Sequence, residues 1–293
     1  MMKKRIAVIV AAVLIALGAG AFVYIQADSK QEREDSVGLF SWQRDVFEDG
    51  GAGLLSFMKR HGFTELYQWF SSELDNEEIR AFLRAAQQEG INIFLLTGDP
   101  AWAKDPAAER LLGQIDRVVG LNASLGDGAA GIKGLIFDVE PQALDEWGDE
   151  TKWGALMDSF TAGMKAAYAA AAFQELEVIV CVPNYYDDIG FSGELHALIR
   201  TSCDRVAVMN YTRGQEAAHV ETEAGYAQRY GKDVINVYEF NPPGHYGLME
   251  WNTYYNEGLS AAVMNFMELR EAYPDTAIDM AAHDYEILRE LLG

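Results

Sequence analysis

The chain has 293 residues, 49% hydrophobic and 12% aromatic, which is enough for one large core and suits an α/β barrel of about 250 residues. A net charge of −22 leaves no basic stripe to meet phosphates and excludes nucleic acid as a partner. Two cysteines exclude a disulfide framework; Cys181 and Cys203 are read as buried free thiols, with a single bridge as the alternative.

Lys3, Lys4 and Arg5 precede an uncharged apolar run from Ile6 to Ile25, long enough to span a bilayer. The basic flank is expected to stay in the cytoplasm, which exports the rest. Residues 1–25 are therefore a signal peptide or signal anchor, 26–36 a polar tether, and 37–293 the folded domain. The domain is anchored to the membrane facing outward, or secreted if cleavage occurs at Ala19-Gly20-Ala21.

From Val37 onward, apolar runs of strand length alternate with helical patterns. Strands are predicted over 37–42, 63–70, 92–97, 131–141, 176–182, 205–211, 233–239 and 276–282. Helices are predicted over 46–61, 75–89, 107–125, 151–173, 192–202, 217–230, 259–273 and 284–292, the second capped by Asp75. Eight strand–helix units imply right-handed crossovers and a parallel sheet, the count of a (β/α)8 TIM barrel. A doubly wound open sheet is the alternative, but Ser41-Trp42-Gln43-Arg44 is not a glycine-rich first turn. No GxGxxG, Walker A, HExxH or CxxC motif occurs, and no His, Asp and Glu residues share metal-ligand spacing. Neither a cofactor nor a metal is expected.

The fourth strand organises the chain. In Gly134-Leu135-Ile136-Phe137-Asp138-Val139-Glu140-Pro141, alternation places Ile136, Asp138 and Glu140 on one face. Two carboxylates close together beside a core raise each other's proton affinity, so one holds its proton, which makes a general acid. Solvated loop carboxylates or helix caps are the plain alternative.

In such barrels chemistry sits at the carboxyl ends of the strands. The layout brings there Trp42, Trp69, Asp99, Asp138, Glu140, Asn184, Tyr211, Glu239 and His283, with Tyr185 and Tyr186 beside them. Aromatic planes next to carboxylates suit a sugar, whose C–H face stacks on rings while its hydroxyls find polar groups. Two or three of these rings, the six Trp together with Tyr185, Tyr186, Tyr246, Tyr254 and Tyr255, are expected to be platforms and the rest packing. Asp99 also suits a simple turn, and His283 with Asp284 a helix cap.

These residues resemble chitinase-type family 18 glycoside hydrolases, which carry D-G-x-D-x-D-x-E on strand four and M-x-Y-D on strand six. Gly134, Asp138, Glu140, Met209 and Tyr211 match; Lys133, Ile136 and Thr212 stand where the family has aspartates. The resemblance implies Glu140 as the acid, Asp138 orienting an N-acetyl group and Tyr211 bonding its carbonyl, with Met209 and Asn210 among the substrate contacts. The expected activity is hydrolysis of an extracellular or cell-wall polysaccharide or oligosaccharide. A second reading is a retaining glycosidase with the acid after strand four and Glu239 as nucleophile after strand seven. A third is a non-catalytic polysaccharide-binding barrel that keeps the aromatic platforms.

Overall fold

The computed structural model describes residues 36–126 and 129–293. Residues Ser36–Gly293 form one compact unit. The apolar segment over 6–25 and the tether up to residue 35 lie outside the described residues. Among the described residues, no helix is long and apolar enough to cross a membrane.

Eight parallel strands close in sequence order: β1 (Val37–Ser41), β2 (Glu65–Gln68), β3 (Asn92–Thr97), β4 (Gly134–Phe137), β5 (Glu177–Pro183), β6 (Arg205–Met209), β7 (Asp233–Glu239) and β8 (Ile278–His283). The last pairs with the first, Val37 opposite Met280 and Leu39 opposite Ala282. The expected barrel is therefore present. Around it lie α1 (Ala52–His61), α2 (Asn76–Gln88), α3 (Glu109–Ala123), α4 (Glu150–Phe173), α5 (Ser192–Thr201), α6 (Glu216–His219), α7 (Glu221–Tyr230), α8 (Gly258–Ala272) and α9 (Tyr285–Leu292).

Local chemistry explains most boundaries. Asp75 caps α2: its carboxylate accepts from Glu77 N at 2.7 Å, and Glu78 returns a bond to Asp75 N at 2.9 Å. Behind that cap Ile79, Phe82, Leu83 and Ala86 bury one face at helical spacing. The helix expected over 46–61 begins only at Ala52. Gly50 and Gly51 take φ of 72° and 82°, conformations a right-handed helix cannot contain, so Asp45–Phe47 is an isolated 3-10 turn. The helix expected over 217–230 divides at Val220 into α6 and α7. The fourth strand is shorter than 131–141. Pairing stops at Phe137, Asp138 N still donates to Thr97 O at 2.9 Å, and the chain then turns into a 3-10 turn at Pro141.

Alternation along the strands makes two cores. Leu39, Leu66, Leu135, Phe137, Val180 and Val208 point outward and pack under the helices. Phe40, Tyr67, Phe94, Leu96, Ile136, Ile179, Ala207, Ile235, Val237 and Ala281 fill the barrel. Each fully buried Phe or Leu contributes roughly 1.5–3 kcal/mol. Cys181 and Cys203 are buried free thiols, Cys181 inside the barrel.

The amino end of the barrel is closed by charge. Arg205 Nη1 meets Glu65 at 2.8 Å and Asp279 at 3.6 Å, and its Nε meets Glu177 at 2.5 Å. The guanidinium lies 5.0 Å from the Phe94 ring centre, and the Tyr67 hydroxyl donates to Glu65 at 3.0 Å. Arg205, Glu65 and Asp279 are all buried.

Candidate active site

The carboxyl end of the barrel is lined by the residues that follow the inward-facing layer. Trp42, Trp69, Met209 and Tyr211 pack, half-buried, on the top of the interior cluster. Asp138 and Glu140 follow Ile136 just beyond the last paired residue of β4, both half-buried.

Burial drives the electrostatics of the pair. It raises the Asp138 carboxyl, against the opposing pull of the His283 charge and the Cys181 thiol. Oδ1 of Asp138 is buried with no hydrogen-bond partner in the structure. Glu140 is pushed up to about 7, first by burial and then by the charge on Asp138, while His283 and Gln142 act the other way. Gln142 Nε2 donates to Glu140 Oε2 at 2.9 Å, and the Tyr186 hydroxyl donates to Gln142 Oε1 at 2.7 Å. Glu140 is thus aimed by a two-step hydrogen-bond chain ending on a buried tyrosine.

Across the mouth, Glu239 and His283 are opposite each other in the β7–β8 register and pair at 3.0 Å through Nδ1. Burial raises the Glu239 carboxyl, but the His283 charge and hydrogen bond and Asn241 together bring it below its usual value. The Tyr211 phenol, close to both carboxylate groups, is held well above its usual range by burial and by Glu239. It is a hydroxyl donor at any ordinary pH.

Other expected contacts lie elsewhere. Asp99 is exposed and caps a 3-10 turn, accepting from Ala101 N at 2.8 Å. Asn210 points away from the barrel axis, is buried, and bonds Asn236 Oδ1 and Glu216 O, both at 2.9 Å. Asn184 turns toward His219 Nδ1, 2.7 Å away. Tyr185 stays at the rim, 36% exposed, its phenol raised by burial and the charge on Glu140. Trp147, in the β4–α4 connection, stacks on Trp153 of α4 at 4.8 Å, and Trp102 packs on the outer core. Trp251 is 54% exposed on the loop after β7. Asp284 caps α9.

No protein-family model and no curated protein matches this sequence. Solved structures do. A C-terminal domain assigned as a chitinase from Desulfitobacterium hafniense superposes with a TM-score of 0.51 at 13% identity, over 71% of this chain and 67% of that one. A chitinase from Chromobacterium violaceum gives 0.51 at 13% identity, over 87% and 96%. An AP endonuclease from Brucella melitensis gives 0.48 at 16%, over 85% and 92%. The likeness is one of fold. At these identities the first two show a barrel fold alone, and the chemistry rests on this chain's own residues.

Sequence reasoning missed Gln142 and gave the Tyr186 hydroxyl no role. Their relation to Glu140 needs the segments after β4 and β5 to meet, and only the position of Gln142, just past Pro141, hinted at it. It also missed why Gly98 is glycine. A Cβ there would lie 1.9 Å from the Asp138 carbonyl oxygen, so the end of β3 presses directly on the backbone that carries the pair. Gly98→Ala is expected to push Asp138 aside and to cost ~1–3 kcal/mol, read as a lower urea midpoint. A midpoint equal to that of the wild type would show that the two strand ends have room to separate.

Proposed function

We propose that this chain is a glycoside hydrolase acting on an exported or cell-wall polysaccharide, with Glu140 as general acid and Asp138 as its supporting carboxylate. The observation that carries this reading is the state of Glu140: half-buried at the mouth of a barrel, held protonated to about pH 7 beside a second carboxylate. A group in that state can deliver a proton to a leaving oxygen at neutral pH. Trp42, Trp69 and Tyr185 supply apolar planes for a sugar ring, Met209 packs beside them, and Tyr211 supplies a hydroxyl donor. The two chitinase-related structures named above share this architecture, which agrees with the reading.

Of the two glycosidase chemistries, the arrangement favours a nucleophile other than Glu239. Glu239 Oε1 accepts from Phe240 N, Asn241 N and Asn241 Nδ2 at 2.7–2.8 Å, and Oε2 is bound to His283. A carboxylate so engaged is poorly placed to attack an anomeric carbon. In the substrate-assisted version the sugar's own N-acetyl oxygen attacks, Asp138 orients that group and Tyr211 bonds its carbonyl. Asp138→Ala is then expected to cost more in kcat than Glu239→Ala on one cleaved substrate, and a 2-fluoro sugar should label neither residue. Covalent labelling of Glu239 would overturn the assignment. A wild-type protein that binds glycans and cleaves none over a broad panel would favour the binding barrel.

A further inference from the structure

The loop between β7 and α8, residues 240–257, holds apolar side chains that lie outside both cores. Tyr246, Met249 and Trp251 are 92%, 50% and 54% exposed. Single exposed apolar residues are ordinary, but a group of them beside a site marks a contact surface. The backbone at Tyr246 takes φ 48° and ψ 27°, a left-handed conformation that costs a bulky residue energy. Gly244 and Gly247 on either side take φ of 93° and 81°. The turn keeps the tyrosine ring in water at that cost.

The same loop is tied to the candidate site. Asn252 Oδ1 accepts from Met249 N at 2.9 Å, and its Nδ2 donates to Tyr211 O at 2.5 Å. Arg213 N donates to Trp251 O at 2.8 Å, and Arg213 Nη2 donates to Glu250 O at 2.7 Å. The Arg213 guanidinium also pairs with Glu257 at the end of the loop and lies 5.9 Å from the Tyr254 ring centre. Trp251 is therefore fixed through its own carbonyl and through both neighbours, and those bonds run to Tyr211 and Arg213. A side chain on a backbone already ordered loses less entropy when it binds.

Charge narrows the occupant. Residues 244–257 carry the carboxylates of Glu250 and Glu257 and no lysine or arginine, on a chain of net charge −22. Such a surface repels anionic lipid and polyanions. Its rings stand among amide and carboxylate groups, Asn256 Nδ2 bonding Glu250 Oε1 at 2.6 Å. Rings suit the C–H face of a sugar, and the polar groups between them suit its hydroxyls. We propose that the β7–α8 loop is a second glycan contact, Trp251 its main stacking plane and Tyr246 a lesser one, taking uncharged sugar units further along the chain than the unit at Glu140. The choice of ligand rests on the glycoside hydrolase reading, but binding is measurable without turnover.

The experiment is isothermal titration of the full-length protein carrying Glu140→Gln, so that no probe is cleaved. The probes are gluco-, N-acetylgluco-, manno- and xylo-oligosaccharides, as disaccharides and hexasaccharides, with an oligogalacturonate as the acidic comparison. A neutral hexasaccharide is expected to bind more tightly than its disaccharide, and the oligogalacturonate not to bind. Trp251→Ala should lower the hexasaccharide affinity by about 10-fold and the disaccharide affinity far less. Trp251→Phe, which keeps a plane, should restore part of it. Arg213→Met should weaken the hexasaccharide too, because it unties the loop and leaves the rings. Tyr246→Ala repeats the comparison with a side chain almost wholly in water, whose loss leaves the fold alone. Hexasaccharide affinities unchanged in Trp251→Ala and Tyr246→Ala overturn the proposal, as does tight binding of the oligogalacturonate or of no probe at all. Self-association that Trp251→Ala abolishes would give the surface to a second copy and overturn it as well. If the wild type cleaves a glycan while both variants bind normally, the hydrolase reading stands and this one falls. Length-dependent binding that Trp251→Ala removes, with no cleavage by the wild type, does the reverse.

Discussion

Glu140→Gln is expected to lower kcat by ~10²–10⁴-fold while leaving oligosaccharide binding nearly intact. Glutamine keeps the shape of glutamate and still has an oxygen to accept the Gln142 amide hydrogen, which reaches Glu140 at 2.9 Å. It has no proton to give. The wild-type rate should carry the same signature in pH. A general acid works only while protonated, so activity should fall as pH rises through about 7, where Glu140 loses its proton. The variant should keep its residual rate without that limb. Isothermal titration with an oligosaccharide and a hydrolysis assay on the same preparation check both halves. Full activity in Glu140→Gln would remove the mechanism.

The largest effect on stability is expected at the opposite end of the barrel. Arg205→Met should destabilise the fold by ~3–5 kcal/mol, because it leaves buried carboxylates without their cation. Glu65 and Asp279 are the damaging partners, both nearly inaccessible, whereas the Glu177 side chain is 34% exposed and can turn to water. Urea unfolding at neutral pH should show the loss as a lower midpoint. Combining Arg205→Met with Glu65→Gln and Asp279→Asn should recover part of the loss, since the charges are removed together. An Arg205→Met midpoint equal to the wild type would show that the cluster is energetically neutral.

The two ends also differ in how far they could be read from residues alone. Asp-x-Glu on an apolar strand is a local signal: period two puts both carboxylates on the face of Ile136, and the interior cluster contains Ile136 as that requires. The Arg205 cluster has no such signal, because Arg205 and Glu65 are separated by 140 positions and each stands alone in its own strand. Asn210 shows the limit of a motif read without direction. It sits between Met209 and Tyr211, so the same period that turns those two inward turns it toward the helices.

Sequence alone determined the barrel, its strand order and the carboxylate pair, because alternation, capping and the spacing of apolar runs are short-range and survive in one dimension. Element ends blurred where glycines or a turn took over, at Gly50 and Gly51 before a helix and at Pro141 after a strand. The state of the site was decided only by closure. Glu239 meets His283 across 44 positions, Tyr186 reaches Gln142 across 44, and Gly98 presses on Asp138 from another strand. Those contacts fix which groups are charged and which way they point. They depend on distances that exist only once β8 has paired with β1, and no local pattern encodes them.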